Sequence, residues 1–263
     1  NDNGFYEVIN DPFVPKNQHD AIEIDNPLDS NRKFLRTSLK DSLIDNLSFN
    51  ERRQKDSIKL FEISNIYNQD LDSQKKCIGI IASGRVDKNH YDFAKMIDEK
   101  YLTSLFKNFV DKDFSIHFDN IPRNLIESKS KSTNKIMYAE IELNSSFLVS
   151  YKNAQSKRNI EEFQYKEISD FPSSTRDLSF SVTDPHSLEL LKYYILNFKD
   201  KLLKEAFIFD YFYNKKNDEI KIGFRFVFQS LHRTVTDKEV NKVVNEIIEH
   251  TQSFKNVYIP GFN

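Results

Sequence analysis

The chain holds 263 residues, 38% hydrophobic and 30% charged, enough for one large domain or two of ordinary size and too apolar for a disordered polymer. Lys and Arg total 38 against 40 Asp and Glu, a net charge of -2, which excludes a generally basic nucleic-acid coat and leaves only a local patch for any polyanion. A single cysteine, Cys77, excludes a disulfide framework and a cysteine-based zinc site, and fits a reducing, cytoplasmic compartment. The five glycines (4, 79, 84, 223 and 261) never fall within four residues of each other, so neither a dinucleotide fingerprint nor a P-loop can be built. No apolar run approaches the roughly 20 residues of a membrane helix, and no membrane partner is expected. Starting at Asn1 without a leader pattern, the chain reads as an internal or C-terminal piece of something longer.

In chain order, Gly4–Ile9 reads as a strand ended by an Asn-Asp-Pro turn. Leu35, Leu39, Leu43 and Leu47 recur every four residues and predict an amphipathic helix over roughly 36–50. Ile58–Ile63 is a short apolar strand with one acid inside it. Cys77–Ala82 has the unbroken apolar character of a strand buried on both faces. Met96, Ile97, Leu102, Leu105, Phe106 and Phe109 predict a helix over 94–109, and Tyr138–Leu143 alternates like a half-exposed strand. Glu127–Lys135 and Asn153–Glu162 lack periodicity and read as solvated loops or a linker, the second marking a domain boundary at 160/161.

The last ninety residues are clearer. Arg176–Val182 alternates, and Asp184-Pro185 starts a helix with the stripe Leu188, Leu191, Ile195 and Phe198. Strands Ala206–Tyr213 and Lys221–Gln229 follow, joined by a polar turn. Thr236–Glu239 fits a capping box before the stripe Val240, Val243, Val244 and Ile247, and Asn256–Ile259 closes as a strand. The order βαββαβ builds a four-stranded antiparallel sheet with both helices on one face. Alternation sends Leu178, Phe180, Phe209, Tyr211, Ile222, Phe224, Phe226 and Phe228 to the helices. The other, uncovered face receives Asp177, Ser179, Asp210, Phe212, Lys221 and Arg225, with Gln229 as a further candidate at the strand end. A phenylalanine among small polar and charged residues is what a stacking platform for single-stranded bases needs; a plain solvated face with one stray aromatic is the competing reading.

Phe171–Leu178 (FPSSTRDL), Phe209–Phe212 (FDYF) and Arg233–Val240 (RTVTDKEV) resemble, in order and spacing, the ferredoxin-fold anticodon-binding domain that ends the bacterial phenylalanyl-tRNA synthetase β subunit. Gly4–Ile9, Leu35–Leu39 (LRTSL), Asn50–Arg53 and Leu60–Ile63 resemble the class-II-synthetase-like module preceding that domain. The resemblance covers 4–82 and 163–263 well. It implies an α+β fold: a class-II-like antiparallel sheet with helices over 1–160, then a βαββαβ ferredoxin-like domain over 161–263. Phe118–Lys135 is too short and polar for the His-Pro-Gly segment and hairpin the family carries there, and Phe212 stands where a tyrosine is usual.

The resemblance further implies a scaffold for the catalytic α subunit in an (αβ)2 assembly and binding of the tRNA(Phe) anticodon. ATP and Mg²⁺ are expected of the holoenzyme and no cofactor of this segment. Arg36, Arg52 and Arg53 are then helix-face and interface positions rather than phosphate ligands, and Leu39, Leu43 and Leu47 contribute to core or interface. The RNA-binding candidates are Arg176, Ser179, Phe212, Arg225 and Arg233. No catalytic or metal-ligating residue is expected, because the six histidines show no ligand spacing and the acids Asp177 and Asp210 have no accompanying nucleophile. The alternative is an amino-acid-sensing regulatory module, since small βαββαβ domains also serve that role.

Overall fold

The computed structural model describes residues 3–16, 20–53, 55–69, 74–107, 116–126, 132–143 and 167–261. The chain forms two compact units, Asn1–Arg85 with Met96–Asn159, and Val86–Lys95 with Ile160–Asn263. The expected boundary at 160/161 and the polar stretch 153–162 lie outside the described residues.

In the first unit, β1 (Tyr6–Glu7), β4 (Ser57–Ile66), β5 (Lys75–Gly84), β7 (Ile136–Glu142) and β6 (Asp119–Ile121) form one sheet in that spatial order. Its pairs are antiparallel except β1 on β4. A two-stranded ribbon pairs β2 (Phe13–Val14) with β3 (Phe34–Leu35). Helix α1 (Lys40–Arg52) lies over the sheet and sinks Leu39, Leu43 and Leu47 into the core, all fully buried. A Cβ at Gly79 of β5 would stand 2.7 Å from Leu43 and 3.0 Å from Leu39, so a glycine here lets the helix seat closely. The three leucines are therefore core, with none available to an interface.

The leucine spacing placed the start of α1 four residues early. Arg36 is held extended by its N–H on the Pro12 carbonyl and its own carbonyl accepting from Tyr67 N, and the helix begins only after Leu39. Leu39 offers no side-chain cap. Glu140 of β7 supplies one, its Oε2 accepting from Leu39 N and from Ser38 Oγ, both at 2.8 Å. Strand β5 is buried on both faces, as its composition predicts. Strand β7 is buried more than its alternation suggested: Met137, Tyr138, Ala139 and Ile141 are all inside. Helix α2 (Glu99–Phe106) is shorter than the stripe 94–109, because Asp98 caps it through Tyr101 N while Met96 bridges Arg85 in extended chain; residues 108 and 109 lie outside the described ones.

Arg36 is not on a helix face. It is fully buried and ion-paired with Glu62 at 2.9 Å, the acid inside β4. Arg52 Nε donates to Ser48 O, and the Arg53 guanidinium lies 3.4 Å over the Phe49 ring.

In the second unit, β8 (Ser174–Val182), α3 (Pro185–Asn197), β9 (Leu203–Asn214), β10 (Glu219–Phe228), α4 (Asp237–Thr251) and β11 (Val257–Tyr258) follow in the expected order. The antiparallel sheet runs β11-β8-β10-β9. Leu178, Phe180, Val182, Ile222, Phe224, Phe226 and Phe228 form one core with Leu188, Leu191 and Ile195 of α3 and Val240, Val243, Val244, Ile247 and Ile248 of α4, so both helices cover the same face. Asp184 caps α3 through Ser187 N, with Pro185 in its first turn. Thr236 and Glu239 form the expected capping box of α4.

Candidate nucleic-acid interface

Directly paired residues on neighbouring strands share a sheet face, so the register assigns the surface opposite the helices row by row. Tyr258 of β11, Ser181 of β8, Lys221 of β10 and Phe212 of β9 form one row. The next contains Ser179, Gly223 and Asp210, and a third Asp177, Arg225 and Phe207.

The middle row is irregular. The pairing of β9 with β10 slips between Gly223 and Phe224, where Gly223 opposes Asp210 and Phe224 opposes Ile208. Phe209 is the extra residue of this bulge, and its ring lies where a Cβ on Gly223 would meet it at 2.9 Å. Phe209 thus leaves the helix face that strict alternation gave it and lies on the opposite one.

That face is also not wholly uncovered. Residues 86–95 belong to this unit and fold into a tight turn, in which Asn89 Oδ1 accepts from Tyr91 N and Asp92 N while Phe93 N donates to Asn89 O. Phe93 is buried, its ring centroid 5.9 Å from Phe207 and 5.6 Å from Phe209. Lys88 Nζ reaches both carboxylate oxygens of Glu205 at 2.8 Å. The β9 end of the third row is therefore covered while Asp177 stays exposed, and Phe212 at 57% and Tyr258 at 59% keep most of their surface in solvent. Ser179 and Asp210 are exposed beside them.

The five residues named from the sequence divide accordingly. Phe212 and Ser179 lie on the open part of the helix-free face. Arg225 lies on the same face but is committed: Nε and Nη2 hold Asp177, and the guanidinium sits 4.9 Å from the Phe93 ring and 5.4 Å from that of Phe209. Arg176 is on the helix side, in register with fully buried Phe226, and is bonded to Asp237 and Asn241 of α4. Arg233 makes a two-pronged pair with Glu239, closing the capping box from outside. That pair and the Thr236 hydrogen bonds hold the Glu239 carboxyl well below the usual carboxylate range. Each arginine thus meets a carboxylate of its own chain. Sequence reading passed over Tyr258 and Phe93: the fourth strand is short, and residues 86–95 carry no periodicity.

Among the described residues no group of three His, Cys, Asp or Glu side chains could hold a metal ion. No helix there is long and apolar enough to cross a membrane.

A βαββαβ sheet with an aromatic, helix-free face defines the class of the second unit, a ferredoxin-like α+β domain that follows a separate sheet-and-helix unit in the chain. Residues 169–258 match the family described as ferredoxin-fold anticodon binding domain, and residues 1–116 match the phenylalanyl tRNA synthetase beta chain CLM domain. The two matches together liken the chain to phenylalanyl-tRNA synthetase β chains. Curated relatives named phenylalanine–tRNA ligase β subunit include those of Fusobacterium nucleatum, 28% identical over 94% of this chain and 35% of the relative, and Clostridium tetani, 26% identical over 92% and 33%. A chloroplastic relative from Gracilaria tenuistipitata is 25% identical over 96% of this chain and 42% of its own length. The chain therefore spans about a third to two fifths of the length of these relatives.

Proposed function

We propose that this chain is the part of a phenylalanine–tRNA ligase β subunit that binds the anticodon of tRNA(Phe) and scaffolds the catalytic α subunit in an (αβ)2 assembly. The second unit reads the anticodon; the first supplies the scaffold and itself performs no chemistry. The holoenzyme uses ATP and Mg²⁺ in aminoacylation, both held by the α subunit. The single observation that carries the reading is Phe212, a ring more than half exposed on the helix-free face beside the small side chain of Ser179. A base stacks on that ring, and Ser179 leaves room for it to approach. Arg176, Arg225 and Arg233 serve this surface chiefly through Asp237, Asp177 and Glu239, fixing the strands and the α4 start around it.

Stacking of one base is worth roughly 1–3 kcal/mol by alanine substitution, so Phe212→Ala in the complete synthetase weakens tRNA(Phe) binding about tenfold or more. Phe212→Tyr binds nearly as wild type, because the ring face is retained. A Phe212→Ala enzyme with wild-type tRNA affinity and an unchanged melting temperature would refute the reading.

A further inference from the structure

The register that places Phe212 on the open face also places Tyr258 there, which no sequence motif singled out, in one row with Lys221, which alternation already assigns to this face. Tyr258 pairs with Ser181, Ser181 with Lys221, and Lys221 with Phe212, so one unbroken row crosses all four strands. Its two ends are aromatic, and both rings are more than half exposed. Between them Ser181, small and flanked by longer neighbours, is buried, while Lys221 is exposed. Lys221 forms no ion pair with any described residue, in contrast to the arginines at 176, 225 and 233, each of which has one. Three inter-strand steps separate the ends of the row, about 14 Å at the usual strand spacing. A strand in a stacked duplex advances about 3.4 Å per nucleotide, so the row is long enough for at most about four stacked nucleotides.

We infer that Tyr258 is a second stacking ring and Lys221 a phosphate contact, so that the site takes a run of single-stranded RNA across β11-β8-β10-β9 rather than one base at the edge of β9. This rests on the anticodon-binding reading and extends it. A tyrosine at one end, a phenylalanine at the other and a cation between them supply the two kinds of contact that sequence-tolerant single-strand binding uses: π-faces for bases and positive charge for the backbone. The buried serine keeps the middle of the row low enough for the strand to cross. The third row cannot share this work, since Phe93 covers its β9 end and Arg225 is neutralised by Asp177.

The test is the affinity of the complete synthetase for a tRNA(Phe) transcript at several salt concentrations, with melting temperature followed in parallel. Tyr258→Leu, which keeps apolar bulk next to the core residue Val257 but removes the ring face, is expected to weaken binding about tenfold, and Tyr258→Phe to leave it unchanged. Lys221→Ala is expected to flatten the log–log salt dependence by roughly 0.7, the share of one single-strand phosphate. If Tyr258→Leu and Lys221→Ala behave as wild type while Phe212→Ala weakens binding, the extended row is wrong and the single-ring reading stands. If Phe212→Ala is also silent, the anticodon reading falls and the row with it. Loss of affinity in Tyr258→Leu and Lys221→Ala with a silent Phe212→Ala would overturn the row as well, since its β9 end would then carry no base.

Discussion

Arg225 Nε and Nη2 donate to the two carboxylate oxygens of Asp177 at 2.8 and 2.7 Å, and the same guanidinium lies 4.9 Å over the Phe93 ring and 5.4 Å over that of Phe209. The pair joins β10 to β8 and at the same time fastens the turn 86–95 to the sheet. An exposed ion pair alone is worth little, about 0–1 kcal/mol, whereas a partly desolvated guanidinium against aromatic rings adds roughly 0.5–2 kcal/mol.

Arg225→Ala is therefore expected to lower stability by about 1–2 kcal/mol and to loosen the turn. Amide exchange at Val86 and Phe93, whose N–H groups donate to the Lys95 and Asn89 carbonyls, should accelerate relative to β8. Lysine at this position should not restore protection, lacking the planar fork. Unchanged exchange in Arg225→Ala would show that the turn holds without the clamp.

A second expectation concerns Glu140. Its carboxylate accepts from Leu39 N, Ser38 Oγ and Tyr138 Oη, so β7 caps α1 from across the chain. Burial, then the adjacent carboxylate, pushes the Tyr138 hydroxyl far above its usual range, keeping it a donor at all ordinary pH. Glu140→Ala removes the cap and leaves the buried Tyr138 hydroxyl only a long 3.5 Å contact with Ser38 Oγ, at a cost of about 1–3 kcal/mol. Tyr138→Phe in the Glu140→Ala background should recover part of that loss, since the poorly partnered donor is then gone. Additive losses in urea unfolding of the two variants would contradict the arrangement.

The bulge at Gly223 shows where sequence legibility ended. Alternation fixed the faces of β8 and β10 correctly, because their inward residues are large, apolar and strictly period two. It misplaced Phe209, since one extra residue inverts the faces on one side of the slip. A lone glycine inside a strand pattern is the available signal for such a bulge or a close approach. The capping box Thr236–Glu239 was legible because its partners are three residues apart. The carboxylates that occupy Arg176 and Arg225 lie 61 and 48 positions away, and no local pattern could reveal them. The same holds for Arg36, whose partner Glu62 appeared in the sequence only as an acid misplaced in an apolar strand.

Falling pH should draw stability from the carboxylates that cap helices in the second unit, which hold off protonation longer in the folded chain than in the unfolded one. Hydrogen bonds from Arg233 and from the Thr236 hydroxyl and N–H depress Glu239 below its usual 4.5, and Ser187 N–H and hydroxyl depress Asp184. A depressed carboxylate adds stability that is complete above its unfolded value and is lost as pH falls through the folded one. Stability should accordingly decline below about pH 4.5. The decline should be shallower in Glu239→Gln, which starts lower at pH 7 but has one proton fewer to take up. Parallel pH profiles for wild type and Glu239→Gln, measured by urea unfolding between pH 7 and 3, would refute the assignment.

The pair Arg36–Glu62 offers the sharpest test of the first unit. Arg36 is 0% exposed and Glu62 1%; Nη2 stands 2.9 Å from Oε1, Nε donates to Asn65 O, and Asn10 Nδ2 donates to Glu62 Oε2 at 2.7 Å. Arg36 Nη1 and Nη2 are both buried without a well-aligned hydrogen bond among the described residues, Nη2 meeting Glu62 only as an ion pair, so the network is incompletely satisfied. Two charges taken out of water gain little net stability from each other, yet removing one strands the other. Glu62→Leu alone should cost about 3–5 kcal/mol, a large part of an ordinary domain's stability, and so should Arg36→Met alone. The double variant should recover most of the loss, because no uncompensated charge remains and the apolar replacements fill similar volume. Chemical denaturation of the two single variants and the double one decides the matter. Additive destabilisation would mean that the pair acts as two independent packing residues, whereas recovery identifies it as one buried electrostatic unit.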